Sequence, residues 1–180
     1  MSQSLSAPWR MDYIRSIDRH ASGPCFLCAA AAAAGLSQRR EGLVLWDSPL
    51  SVVLMNRFPY ANGHLLIASK AHKPDPTDLT DDEAADLTRQ TFRAVQLLRR
   101  AVSAQGFNIG MNVGRVAGAG VPGHIHQHVV PRWGGDVNFM QVVGEVRVIP
   151  EAITTLYDEL LRVIAELPPV VAINAGNPSP

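Results

Sequence analysis

Three histidines stand on alternate positions in GHIHQHVVPRWGGD, residues 123–136: His124, His126 and His128. On a β-strand, side chains two apart share a face at a spacing of about 6.6–7 Å. The three imidazoles then form one row, while Ile125, Gln127 and Val129 take the opposite face. Half of the chain's six histidines sit in this span; the others are His20, His64 and His72. Polar filler has no reason to repeat one ring at every position, so two chemistries remain. The first is metal chelation, for which H-x-H on a strand is a suitable geometry. Zinc hydrolases built that way usually place a carboxylate close by, whereas Val129 and Val130 follow here and the first acid is Asp136. The second is nucleophilic attack by imidazole on phosphorus. Neutral histidine is a good nucleophile near neutral pH, and its neighbours could bind or protonate phosphate oxygens.

The second chemistry requires a phosphate cradle, and NVGRVAGAGVPGH, residues 112–124, leads directly into the row. Gly114, Gly118, Gly120 and Gly123 allow backbone N–H groups to turn inward as an anion-binding nest. The 16 basic residues balance 16 acidic ones, so no overall field draws in nucleic acid or an anionic membrane. Amide dipoles could hold a polyphosphate without a basic patch.

The chain has two cysteines, Cys25 and Cys28, in a C-x-x-C pair. In a reducing compartment this spacing serves metal binding or redox work more often than a structural disulfide. Two ligands at zinc spacing need two more, and His72 in the loop KAHK is the natural third. Free thiols or a redox pair are the alternatives. The stretch CFLCAAAAAAG, preceded by Arg10, Arg15 and Arg19, has the outline of a short signal-peptide core. Alanine is only weakly hydrophobic, and Asp12, Asp18 and Pro24 interrupt the region. No apolar run approaches the ~20 residues that span a bilayer. The expectation is a cytoplasmic protein with no membrane partner.

The elements that must position these groups follow from pattern. At 180 residues the chain is most simply one domain. Residues 1–24 read as an irregular segment with a possible helical turn, 25–167 as the folded domain and 168–180 as a flexible tail. Residues 25–35 suggest a loop and a short Ala-rich helix capped at its end by Gly35. Strands are expected at 43–47, 51–56, 64–69, 107–112 and 124–132. Thr80 and Glu83 form a T-x-x-E capping box. The helix it opens carries a stripe of Ala84, Leu87, Thr91, Val95, Leu98 and Val102 and ends at Gly106. Its arginines, Arg89, Arg93, Arg99 and Arg100, lie largely off that stripe and read as solvated. A last helix starts at Pro150 and places Ile153, Leu156, Leu160, Val163 and Leu167 on one face. The fold class is α+β, an antiparallel sheet of about five strands with helices packed on one side.

H-I-H-Q-H-V-V resembles the defining motif of the histidine-triad (HIT) superfamily, nucleotidyl hydrolases and transferases acting on α-phosphates. MNRFPYANGHLLIAS resembles that family's strand pair. APWRMDYI, CFLC, the loop AGAG and HQHVVPRWGGDVNFM are similar to the bacterial diadenosine tetraphosphate phosphorylase branch. Hydrolase members commonly carry Gln or Ser four residues before the first histidine; this chain has Gly120 there, which is compatible with the phosphorylase branch.

The resemblance implies roles residue by residue. His126 would be the nucleophile that takes AMP covalently, His128 would bind phosphate oxygens and Asn112 would bond near the scissile bridge. Asn56 would contact the ribose, with His64 and the loop residues Gly118, Ala119, Gly120 and Val121 completing the nucleotide site. Trp133 or Phe139 would flank adenine or serve as core or dimer contacts. Cys25, Cys28, His72 and His124 would hold a structural Zn2+ that the chemistry itself does not require; His20 reads as a surface residue. The expected substrates are an adenine dinucleotide and phosphate, and the expected assembly is a homodimer. Hydrolysis by water is the alternative activity; a metallohydrolase and a non-catalytic nucleotide-binding protein are further ones.

Overall fold

The computed structural model describes residues 24–136 and 152–168. The expectations for residues 1–23, Phe139, Pro150 and the tail beyond 168 lie outside them. Five strands form one antiparallel sheet: β1 (Val44–Asp47), β2 (Ser51–Met55), β3 (Leu65–Ser69), β4 (Gly106–Met111) and β5 (His126–Arg132), in the order β1-β2-β3-β5-β4. The histidine strand β5 is thus internal, with β3 on one side and β4 on the other. Its register sets His126 opposite Ala68 and His128 opposite Leu66.

Among the described residues, four helices accompany the sheet: α1 (Phe26–Ala32), α2 (Leu36–Glu41), α3 (Asp81–Ala101) and α4 (Ile153–Glu166). The two long ones, α3 and α4, pack on one face. There Val53, Met55, Leu65, Ile67 and Val129 meet Leu87, Leu97, Leu98, Leu156 and Leu160 in one core. Most of these side chains are fully buried, and each contributes about 1.5–3 kcal/mol from its removal from water. The alternate residues Val52, Leu54, Leu66 and Ala68 point to the other face, where short α1 covers them with Leu27 and Ala30. His126 and His128 share that second face. The period-two pattern therefore separates a helix-packed core from a chemical face.

Helix α3 begins as its sequence dictates. Thr80 Oγ1 accepts from the Glu83 N–H at 3.3 Å, and Glu83 Oε2 accepts from the Thr80 N–H at 2.8 Å. Its end differs from expectation. It closes at Ala101, Ser103 takes φ 51°, and Gly106 is the first residue of β4. The buried stripe is also rotated: Ala84 is exposed and Val95 and Val102 are half-buried, while Ala94 and Leu97 are buried. Gln90 reaches the core because its side-chain oxygen accepts from Trp46 Nε1 at 2.9 Å. Arg93 lies over the Trp46 ring and Arg99 over Phe107, so neither is simply solvated. Gly35 is not the C-cap of α1; that role falls to Ala33, and Gly35 is the extended N-cap of α2. Among the described residues, no helix is long and apolar enough to cross a membrane.

Candidate active site

His126 opens β5 and is a buried residue, 5% exposed. Its Nδ1 lies 2.8 Å from the main-chain oxygen of His124. A carbonyl can only accept, so Nδ1 carries the proton and Nε2 keeps the lone pair. Burial holds the His126 pKa below the ordinary histidine value, a shift that the hydrogen bond to His124 only partly offsets. The ring is therefore neutral at neutral pH, and its basic nitrogen has no hydrogen-bond partner among the described residues.

His128, whose ring centroid is 5.0 Å from that of His126, has its tautomer set from below. The backbone N–H of Tyr60 donates to His64 Nδ1 at 3.1 Å, and Asn56 Nδ2 reaches the same atom at 3.2 Å. An amide N–H is unambiguously a donor, so His64 Nδ1 is an acceptor and its proton sits on Nε2. That proton meets His128 Nδ1 at 3.0 Å. His128 consequently carries its own proton on Nε2; Asn112 Nδ2 lies 3.5 Å from that atom, and two donors make no hydrogen bond with each other, so both are left to point at an acceptor. Burial first, and then the charge of His126, push the His128 pKa down to about 4.

Both rings line a cleft of about 960 Å³, a volume suited to a nucleotide-sized ligand. Its floor is Leu54 and Leu66, and one wall is α1 with Phe26, Ala29 and Ala30. Alanines there leave space between helix and sheet that larger side chains would fill. At the triad end stand Asn112, Gly118, Gly120 and Val121, and Asn56 lines the same space. Asn56 is held by its Oδ1, which accepts from the Phe58 N–H at 3.0 Å.

The glycine-rich loop is more selective than its composition suggests. Gly118 adopts φ 85°, in the left-handed region that favours glycine. Its N–H donates to Arg115 O, and the Ala119 N–H donates to Gly114 O at 3.3 Å. Ala119 is also buried, so it shapes the turn and does not face the cleft. The amides of Gly120 and Val121 carry no hydrogen bond to another described residue. Of the loop residues that line the cleft, these two keep an amide donor for an anion.

His64 is 1% exposed with both ring nitrogens engaged, so it stands behind His128 and not against a ligand. Trp133 belongs to the opposite face: its Nε1 donates to Val102 O at 3.0 Å and its ring packs on the α3 core. Two contributors escaped sequence reasoning. Tyr60 supplies the amide that orders His64, and the Ala run forms a cleft wall. RFPYANG directly before His64 was a signal for the first; small residues in a run beside a sheet, for the second.

Cys25, Cys28, His72 and His124 converge from three segments, with one ligand atom of each within 4.8 Å of all the others. His124 Nδ1 is 3.3 Å from Cys25 Sγ and 3.4 Å from Cys28 Sγ, and His72 Nδ1 is 3.1 Å from Cys28 Sγ. Those separations approach the edge of about 3.5 Å expected for a tetrahedron of thiolate and imidazole ligands around Zn2+. His124 Nε2 donates to Ser69 O at 2.8 Å, the second hydrogen bond that ordinarily orients a ligating histidine. The donor set fits zinc. His124 is fully buried and precedes β5, so the row of three divides: His124 faces the cysteines, and His126 and His128 face the cleft.

Comparison with known proteins agrees with this geometry. The HIT domain family model matches residues 38–135. The AP-4-A phosphorylase of Mycobacterium tuberculosis is 34% identical over 151 residues, covering 83% of this chain and 77% of its own length. The asymmetrical bis(5'-nucleosyl)-tetraphosphatase of Schizosaccharomyces pombe is 35% identical over 89 residues, 49% of this chain and 48% of its own. Among solved structures, a Zn-bound histidine triad family protein from Mycobacterium smegmatis superposes with a TM-score of 0.62 at 27% identity, covering 79% of this chain and 94% of that one. The chain belongs to the HIT domain family.

Proposed function

We propose that this protein is a nucleotidyltransferase that cleaves diadenosine polyphosphates through a covalent AMP–histidine, with phosphate as the acceptor. The observation that carries this reading is the 2.8 Å bond from His126 Nδ1 to the His124 carbonyl. It leaves a neutral Nε2 as nucleophile in a cleft of nucleotide size.

Nε2 attacks the α-phosphorus, and the bond from that phosphorus to the bridging oxygen breaks. From diadenosine tetraphosphate the leaving group is ATP. The Nε2–H of His128 and the Asn112 amide stabilise charge on the phosphate and bridging oxygens. Gly120 and Val121 amides hold the polyphosphate, the apolar floor and α1 wall receive adenine, and Asn56 receives the ribose. His64 supports the site indirectly, as the group that fixes the tautomer of His128. Phosphate then attacks the AMP–His126 phosphorus and leaves as ADP, returning the lone pair to Nε2. A zinc ion held by Cys25, Cys28, His72 and His124 would anchor the start of α1; no bond-breaking step needs it. The relatives named for phosphorylase and tetraphosphatase activity support the substrate class. Gly120 in place of a donor side chain favours phosphate over water.

The edge strand β4, with Ile109 open to solvent, suits a homodimer through that edge, and α3 carries a second exposed apolar side chain in Phe92. Product analysis tests the acceptor. ATP plus ADP appearing only when phosphate is supplied supports phosphorolysis; AMP plus ATP in phosphate-free buffer would replace it with hydrolysis.

A further inference from the structure

The four-residue Cys/His centre and the nucleophile share one residue. His124 gives its ring to the cysteines and its main-chain oxygen to His126 Nδ1. We infer that the centre positions the nucleophile: with a metal ion bound, it fixes His124, and the His124 carbonyl fixes the ring of His126. Cys25, Cys28 and His72 are then positioning residues for nucleotidyl transfer, acting through His124. This rests on the reading of His126 as the nucleophile.

Several contacts make the link short and stiff on one side only. The His124 N–H donates to Val121 O at 3.2 Å, and the next amide, Ile125 N–H, donates to Lys73 O at 2.6 Å. A Cβ at Gly123 would lie 3.4 Å from His72 Nε2, so the His72 ring rests directly on the end of the glycine-rich loop. The loop end, the segment after β3 and the start of α1 therefore meet at this one cluster. Without an ion the cluster is joined by thiol–imidazole contacts, a Cys25–Cys28 thiol contact and the edge-on approach of the His72 and His124 rings, all of them weak. An ion replaces them with coordinate bonds of fixed length. The carbonyl of His124 is two bonds from the Cα that bears the ligating ring, so ligand movement reaches the acceptor that orients the nucleophile. A displacement of about 1 Å in such an orienting group can cost on the order of a hundredfold in rate.

The test uses full-length protein loaded with zinc, His72→Asn, His72→Cys, and wild type stripped by a chelator. His72 is exposed, so its replacement disturbs packing least. Readouts are zinc content, thermal midpoint, the nitrogen-edited imidazole NMR signal of the His126 Nδ1–H, and the single-turnover rate of AMP transfer from diadenosine tetraphosphate. The expected result is loss of zinc from His72→Asn and stripped wild type, a broadened or shifted Nδ1–H signal, and AMP transfer slowed by about tenfold to a hundredfold. AMP affinity should change little, and His72→Cys, which keeps a fourth ligand, should restore zinc, signal and rate. Zinc-free protein that remains folded with unchanged signal and rate would overturn the inference, as would unfolding of both zinc-free forms, which assigns the ion to stability alone. If zinc-loaded wild type forms no AMP adduct, the functional reading fails instead, and the NMR signal still reports whether the two sites are coupled.

Discussion

His64 Nε2 lies 3.0 Å from His128 Nδ1, and this contact fixes the proton of His128 on the nitrogen that faces the cleft. The acceptor at His64 Nδ1 is in turn set by a main-chain amide, that of Tyr60. Three groups in line thus convert a backbone position into a defined tautomer of His128.

Replacing His64 by Gln should preserve the fold more than Ala would, yet lose this relay. A wrong tautomer behind a catalytic imidazole costs on the order of 10²- to 10⁴-fold in turnover. We expect a fall in kcat of that order with a smaller change in KM. Steady-state kinetics alongside a thermal melt decide it, and an unchanged kcat would remove His64 from the mechanism.

The depressed pKa of His128, about 4, has a consequence for stability. In the unfolded chain the imidazole titrates near its ordinary value of about 6.5. Between these values the unfolded state binds a proton that the folded state does not, so lowering the pH favours unfolding. The effect is absent above about pH 6.5 and grows as the pH falls toward about 4. Urea midpoints should therefore drop between pH 7 and pH 5, and His128→Asn should show a shallower drop. Parallel slopes in the two proteins would contradict the assignment.

Much of this site was legible in the sequence because its signals are local. Alternate histidines on a strand need only the period of two, and the Thr80–Glu83 box needs only helix geometry. The remainder depended on tertiary placement. Gly35 and Gly106 carry the same sequence signal as helix stops, but the neighbouring elements begin at them. Ala119 sits in a glycine-rich run, yet its amide is consumed inside the turn. Trp133 follows the triad by five residues and still falls on the helix side of the sheet. His64 offered an imidazole beside the site without saying that both its nitrogens would be occupied.

Gly63 adopts φ 78°, and a Cβ there would approach Leu98 Cδ2 to 3.0 Å. Gly63→Ala combines left-handed strain with crowding of a buried leucine, at a cost of about 2 kcal/mol. Chemical denaturation measures it. A variant as stable as the wild type would show that the turn before His64 tolerates another backbone conformation.

The proposed homodimer through β4 would bury Ile109, which is 44% exposed in the single chain. Ile109→Asp should place a charge in that contact and shift the protein to monomer in light scattering while leaving the thermal midpoint of the monomer little changed. An unaltered dimer mass would move the interface elsewhere.

The central claim is that the middle imidazole of the row accepts the adenylyl group. Mixing the protein with diadenosine tetraphosphate without phosphate, quenching at alkaline pH and mapping peptides by mass should locate one AMP on the peptide containing His126. The same treatment of His126→Asn should give none, with turnover abolished. Absence of the adduct from the wild type, together with undiminished turnover in His126→Asn, would contradict the account.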